Sequence, residues 1–262
     1  MNRLHDLLAR KNRDLLSIYF TAGHPSRDAM LDLIPALERA GADLVEVGMP
    51  YSDPLADGPI IQRSSEAALR NGMTLGLYFE QIRAVRARTQ LPLIFMGYFN
   101  QVMQFGEEKF VQTCADAGID GLILPDLPLD EFEKRYAAMF REAGLPVSLL
   151  ITPQTEEARI RRIEALSDGF VYMVSSAATT GAKTGISAAQ LAYFQRIEAM
   201  NLSRPRLIGF GISDRETFQT ACRFANGAII GSAFIRALEA GCEDVAGAAE
   251  AFVRGILGPN PA

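Results

Sequence analysis

Histidine, lysine and cysteine are scarce in this chain, and each scarcity argues against a class of chemistry. The 262 residues include two histidines, His5 and His24, too few for a metal site built on several imidazoles or a Ser-His-Asp triad with a choice of bases. No metal is expected. Lysine occurs at positions 11, 109, 134 and 183 only. A Schiff-base mechanism wants a desolvated lysine at a strand end, whereas Lys11, Lys109 and Lys134 fall on predicted helices and Lys183 in a predicted loop. Cys114, Cys222 and Cys242 form an odd set without C-x-x-C spacing. Each falls on a predicted helix, which argues against a disulfide framework and fits a reducing cytoplasm. The chain also lacks any stretch approaching the roughly 18 apolar residues of a membrane span. Its first fourteen residues mix charge with leucine instead of forming the apolar core of a signal peptide. A net charge of −5 argues against the clustered basic footprint of a nucleic-acid-binding protein.

What is present is globular. Hydrophobic residues make up 48 % and charged residues 22 %, against averages of about 45 to 50 % and about 25 %. Leu4, Leu7 and Leu8 repeat at helical spacing, so residues 1–13 read as an amphipathic capping helix. An apolar run, Leu15 to Phe20, then gives way to helical spacing at Met30, Leu33, Ile34 and Leu37. This strand-then-helix cycle recurs with strands predicted at 44–47, 93–96, 121–124, 147–151, 170–174, 206–210 and 228–230. The predicted helices include 110–117, 132–142, 156–166, 188–200 and 214–224. Ser187 with Gln190 and Ser213 with Glu216 read as capping boxes, and Gly41, Gly118 and Gly144 sit just past helix ends.

Eight strands each followed by a helix imply a parallel sheet with right-handed crossovers. The expected architecture is an α/β protein, a (β/α)8 TIM barrel with an extra N-terminal helix, forming one domain over residues 1–262, since barrels of about 200 to 250 residues are commonly single domains. A doubly wound open sheet is the alternative, but no G-x-G-x-x-G follows the first strand.

One stretch organises the rest. In Asp43-Leu44-Val45-Glu46-Val47 a carboxylate stands inside an apolar run that reads as a buried parallel strand, where an unpaired charge costs several kcal/mol. A turn-dense loop follows, carrying Asp53 and Asp57 between prolines, with Asp57 eleven positions beyond Glu46. Glu46 reads either as a structural acid bonded to neighbouring hydroxyls or as a catalytic group whose burial raises its pKa. Asp57 beside Gly58 is on its own a turn former; its pairing with Glu46 makes it a candidate.

In a TIM barrel the active site lies at the C-terminal strand ends. Polar and glycine positions there include Glu46, Tyr98 to Asn100, Asp126, Thr152, Tyr172 to Ser175, Gly209 to Gly211, and Gly231 with Ser232. Three late glycine turns stand out: Thr179-Thr180-Gly181, Gly209-Phe210-Gly211-Ile212-Ser213 and Gly231-Ser232. The last two follow strands and open helices, so their backbone N–H groups form an anion nest at the usual barrel phosphate site. A phosphorylated small molecule is the expected ligand.

The motif Val45-Glu46-Val47-Gly48, followed by Tyr51-Ser52-Asp53-Pro54-Leu55-Ala56-Asp57-Gly58, closely resembles the signature of the tryptophan synthase alpha chain family. The likeness runs through nearly the whole chain: Phe20-Thr21-Ala22-Gly23, Gly97-Tyr98-Phe99-Asn100, Leu124-Pro125-Asp126-Leu127-Pro128, Gly209 to Ser213 and Gly231-Ser232-Ala233 fall in the family's order.

The resemblance implies a lyase that performs the retro-aldol cleavage of indole-3-glycerol phosphate to indole and glyceraldehyde 3-phosphate, a step of tryptophan biosynthesis, without a cofactor in this chain. That reaction needs a base for the side-chain hydroxyl proton and an acid for the indole ring carbon. By resemblance Glu46 takes the main proton-transfer role and Asp57 holds the indole N–H as positive charge develops. Tyr172 is carried over as a hydrogen-bonding neighbour of Glu46; on sequence alone it reads equally as an aromatic filling the barrel. Gly181, Phe210, Gly211, Gly231 and Ser232 match the family's phosphate cradle, and Phe20, Tyr98, Leu124 and Thr180 are expected to line the indole pocket. The family also implies a pyridoxal-phosphate beta chain that receives indole, an alpha2beta2 heterotetramer, and loops 49–60 and 175–186 acting as lids.

The chain departs from the family's pattern at three places. Ala178-Thr179-Thr180-Gly181 replaces Gly-Val-Thr-Gly, His24 replaces an aspartate, and Asn100-Gln101 replaces Asn-Pro. Two other readings remain open at this level. A stand-alone lyase that releases indole draws on the lid departures, and a barrel kept only as a regulatory partner is opposed by the retained carboxylate pair.

Overall fold

A computed structural model describes residues 2–55, 57–175 and 185–258. In chain order the elements are α1 (Arg3–Arg10), β1 (Leu15–Thr21), α2 (Met30–Ala40), β2 (Leu44–Gly48), α3 (Pro59–Arg70), α4 (Leu75–Arg86), β3 (Leu93–Met96), α5 (Phe99–Phe105), α6 (Glu107–Ala117), β4 (Gly121–Ile123), α7 (Leu129–Glu131), α8 (Ala137–Glu142), β5 (Leu150–Ile151), α9 (Glu157–Leu166), β6 (Val171–Val174), α10 (Ala188–Ala199), β7 (Arg206–Gly209), α11 (Arg215–Cys222), β8 (Gly227–Ile230), α12 (Ser232–Ala240) and α13 (Val245–Leu257). A π-type turn, Phe132–Tyr136, joins α7 to α8.

The strands run parallel in the order β4-β3-β2-β1-β8-β7-β6-β5. A parallel bridge between Leu122 and Val147 carries β4 across to the segment leading into β5, with Ser148 N–H donating to the Leu122 carbonyl at 2.9 Å. The architecture is thus the TIM barrel expected from the strand–helix cycle. Among the described residues no helix is long and apolar enough to cross a membrane.

Alternation along the strands sorts side chains into two layers, because successive residues point to opposite faces. Leu16, Ile18, Phe20, Val45, Val47, Leu93, Phe95, Leu122, Val171 and Met173 pack outward beneath the helices. Leu15, Tyr19, Leu44, Ile94, Ile123, Tyr172, Leu207 and Ile229 fill the interior. The N-terminal helix joins that interior: Leu4 and Leu7 of α1 pack with Leu15 and Leu44. Asn2 caps α1 by accepting the Leu4 and His5 N–H groups. Its amide also donates to the carbonyls of Asp120 and Gly144, fixing the helix across the barrel floor.

Several boundaries differ from expectation. Helix α5, a seven-residue element, was not foreseen. The segment predicted as a strand over 147–151 is mostly a bridge, with regular pairing only at Leu150 and Ile151. Strand β7 ends at Gly209 because Phe210 has φ 67°, outside strand geometry. Ser187 and Gln190 form the expected capping box, but the second box is one position later. Asp214 is the N-cap, accepting the Thr217 N–H at 2.9 Å, and a carboxylate is the stronger acceptor at a helix start. Cys242 lies in the turn between α12 and α13, not in a helix.

Candidate active site

Glu46 lies on β2 with its side chain turned into the barrel and no exposed surface. Its register partner on β1 is Tyr19. Ser17, two positions earlier on the same inward face, donates from Oγ to Glu46 Oε1 at 2.8 Å. Glu46 Oε2 is buried and has no hydrogen-bond partner among the described residues. Burial therefore dominates, and the Ser17 bond only partly offsets it: the Glu46 carboxyl is raised to about 8. Glu46 is accordingly mostly protonated at neutral pH.

Asp57 reaches the same region from the loop between β2 and α3. It is 8 % exposed, and Tyr98 Oη, at the start of α5, donates to its Oδ2 at 3.0 Å. Burial raises its carboxyl to about 6, opposed by the Tyr98 hydrogen bond. Asp57 is therefore mostly ionised where Glu46 is mostly protonated. Two phenols lie within the electrostatic reach of both acids. Tyr19 is pushed well above the ordinary tyrosine range by burial and next by Asp57, with Glu46 adding to it. Tyr172 is pushed up by burial, then Glu46, then Asp57. Both stay protonated and available as donors.

A cleft beside Asp57 is lined by Tyr19, Met49, Tyr51, Met96, Gly97, Tyr98 and Pro125. Tyr51 stacks on Tyr98 with ring centroids 4.8 Å apart. The cleft is narrow, about 10 Å³, with aromatic and apolar walls and Asp57 at its edge.

The other expected site residues divide. Phe210 and Gly211 sit at the C-terminal end of β7 in the left-handed region, with φ 67° and 78°. The Ser175 hydroxyl donates to the Phe210 carbonyl and in turn accepts from Gln190 Nε2 at 3.1 Å. Gly231 precedes α12 and Ser232 is its first residue, so this turn presents the unpaired N–H groups of a helix start. Gly181 and Thr180, together with Ala178, lie outside the described residues.

Three expectations change. Phe20 and Leu124 pack in the outer layer beneath the helices, because each is one residue away from the inward-facing position. Their neighbours Tyr19 and Ile123 face inward. Tyr172 makes no hydrogen bond to Glu46. Its Oη instead leans over Gly209, where a Cβ would come within 2.3 Å of it, so Ser17 is the hydroxyl that holds Glu46. Ser17 and Tyr19 went unnoticed in the sequence as site residues. The available signal was their alternation, since Ser17, Tyr19 and Glu46 share one face once β1 and β2 are set in register.

A family model for the tryptophan synthase alpha chain matches residues 5–255. The chain belongs to the tryptophan synthase alpha chain family. It is 51 % identical over 239 residues to the tryptophan synthase alpha chain of Bacteroides thetaiotaomicron, covering 91 % of this chain and 93 % of that one. It is 48 % identical over 256 residues to that of Phocaeicola vulgatus, covering 98 % and 99 %. Among solved structures, tryptophan synthase subunit alpha from Legionella pneumophila superposes with a TM-score of 0.88 at 32 % identity, covering 98 % of this chain and 97 % of that one. The tryptophan synthase complex from Pyrococcus furiosus contains a chain that superposes with a TM-score of 0.86 at 29 % identity, covering 94 % and 99 %.

Proposed function

We propose that Glu46 and Asp57 divide the work of cleaving indole-3-glycerol phosphate, the lyase reaction of the tryptophan synthase alpha family in tryptophan biosynthesis. The observation that carries this reading is the pair of buried carboxyls at the barrel mouth, raised to about 8 and about 6. Around neutrality the site then holds one proton donor and one anion.

The protonated Glu46 delivers its proton to the indole ring carbon that bears the glycerol phosphate chain. The ring becomes cationic, and the ionised Asp57 holds the ring N–H as that charge develops. The Glu46 carboxylate left behind takes the proton from the side-chain hydroxyl. The carbon–carbon bond breaks, its electrons return to the ring, and indole and glyceraldehyde 3-phosphate leave with Glu46 protonated again. Ser17 keeps the carboxylate oriented through both transfers.

Phe210, Gly211, Gly231 and Ser232, with Gly181, hold the phosphate. Tyr19, Tyr98 and Ile123 face the indole, in place of Phe20 and Leu124. This chain works as one barrel domain without a cofactor of its own, in the cytoplasm. It passes indole to a beta chain that carries pyridoxal phosphate, in an alpha2beta2 assembly, with loops 49–60 and 175–186 as lids.

The test is Glu46→Gln. Cleavage should fall by roughly 10²- to 10⁴-fold while substrate binding persists, the scale that general acid–base catalysis contributes. Turnover close to the parent's would overturn the assignment. Measuring indole release with and without the beta chain separates a coupled subunit, which is strongly activated, from an independent lyase.

A further inference from the structure

Asp57 owes its position to a loop, and the hydrogen bonds on that loop converge on the start of one short helix. Gln101, in the first turn of α5, uses both ends of its side-chain amide. Oε1 accepts the Tyr98 backbone N–H at 3.1 Å, and Nε2 donates to the Pro50 carbonyl at 2.9 Å. Pro50 opens the loop that carries Asp57, and Tyr98 supplies the hydroxyl that grips Asp57. One amide thus joins the root of the loop to the residue that holds its functional end.

The neighbouring contacts point the same way. Asn100 Nδ2 donates to Tyr51 Oη at 2.8 Å, and Tyr51 stacks on Tyr98. Asp126, ending the turn after β4, accepts the Phe99 N–H at 2.7 Å and so anchors the helix start to the barrel. Beyond α5, the loop is held by the Met49 N–H on the Met96 carbonyl at 2.8 Å and by Gln62 Nε2 on the Asp57 carbonyl at 3.0 Å. The first anchors the residue directly before Pro50 and the second the far end of the loop, while Gln101 holds the Pro50 carbonyl itself.

We propose that Gln101 is a positioning residue for the cleavage reaction, its carboxamide tying the Pro50 carbonyl to the Tyr98 N–H so that the loop presents the Asp57 carboxylate to the substrate ring. This rests on the role given to Asp57 above. An amide suits the task because it is neutral and carries donors at one end and an acceptor at the other. A carboxylate could still accept from Tyr98 but would face the Pro50 carbonyl with a second acceptor. An apolar side chain would serve neither end.

Two variants of the full chain test it. Gln101→Glu keeps the helix-capping acceptor and removes the donor to Pro50, and Gln101→Met removes both at nearly constant length. Both should lower kcat for indole-3-glycerol phosphate cleavage by roughly 10- to 100-fold, the scale of a small misplacement of a catalytic group. KM should change less than kcat, because Asp57 acts on charge that develops in the transition state. In Gln101→Met the acid limb of the kcat profile should also move below its parent position, since a loosened Asp57 regains water. Parent-like kcat in either folded variant overturns the proposal, as does a Gln101→Glu protein that is normal while Gln101→Met merely melts earlier, which would make Gln101 a helix cap. Loss of the cooperative thermal transition in both variants would make it a folding residue and overturn the proposal equally. Asp57→Asn, measured alongside, separates the two levels: parent-like turnover there removes the role of Asp57 itself, whereas an inactive Asp57→Asn beside normal Gln101 variants removes only the role of Gln101.

Discussion

Ser17 and Glu46 meet on the inner wall of the barrel, where the serine hydroxyl donates to Glu46 Oε1 at 2.8 Å and Oε2 is left buried and unpartnered. The bond stabilises the ionised form and so works against burial, the larger influence on this carboxyl. Ser17→Ala should therefore raise the Glu46 pKa above about 8, by roughly one unit for a charge-assisted hydrogen bond. The alkaline limb of the cleavage profile should move up with it, while kcat falls because the carboxyl is no longer oriented. An unmoved limb would mean that Ser17 does not govern the titrating group.

The two raised carboxyls also set the shape of the whole profile. The proposed mechanism needs Asp57 ionised and Glu46 protonated, so kcat/KM should be bell-shaped with limbs near 6 and near 8. The Tyr98 hydroxyl lowers the Asp57 pKa. Tyr98→Phe should therefore shift the acid limb to higher pH and leave the alkaline limb in place. A rate rising from pH 4 with no acid limb near 6 would sink the assignment of Asp57.

Much of this was legible in the residues, and the misses have physical causes. The barrel was readable because short apolar runs alternate with helical spacing from Leu15 to Ile230. Glu46 was readable because a charge within Leu44 to Val47 needs a reason. What one strand cannot reveal is its facing. A one-residue slip exchanges every inward and outward side chain, and that slip separates Phe20 from Tyr19 and Leu124 from Ile123. Helix α5 has two buried apolar side chains, Phe99 and Val102, too few to show a period. Gln101 was visible as a departure from the family's proline, but its two hydrogen bonds depend on how α5 packs beside the Pro50 loop.

Glu46 should also weaken the fold at neutral pH. Its folded pKa, about 8, lies above the unfolded value of about 4.3. Between these values the folded protein binds the extra proton, so stability falls as pH rises from about 4 through about 8. The cost at pH 7 is about 4 kcal/mol, since the unfolded value lies about 2.7 units below pH 7 and each unit is worth about 1.36 kcal/mol. Glu46→Gln removes this titration and keeps an acceptor for Ser17. The variant should be inactive yet more stable than the parent at pH 7, with the difference vanishing near pH 4. Chemical denaturation at the two pH values measures it, and equal stability at both would mean that Glu46 is not the buried acid described.

Two glycines shape the site by what they omit. A Cβ on Gly48 would come within 2.3 Å of Tyr19 Oη, and one on Gly209 within 2.3 Å of Tyr172 Oη. Both rings are buried, so neither can swing into water to relieve the overlap. Gly48→Ala and Gly209→Ala should each cost about 1 to 3 kcal/mol of stability, the range for overpacked cores. Their kinetic effects should differ. Tyr19 forms part of the cleft wall beside Asp57, so Gly48→Ala displaces a surface proposed to meet the substrate ring and should raise KM. Tyr172 packs edge-on against Phe210, with ring centroids 6.4 Å apart. Gly209→Ala should therefore disturb the turn proposed to hold the phosphate, weakening inhibition by inorganic phosphate as well as substrate binding. If both alanine variants keep the parent's KM and phosphate affinity, the two phenols are fillers of the barrel and not walls of the site.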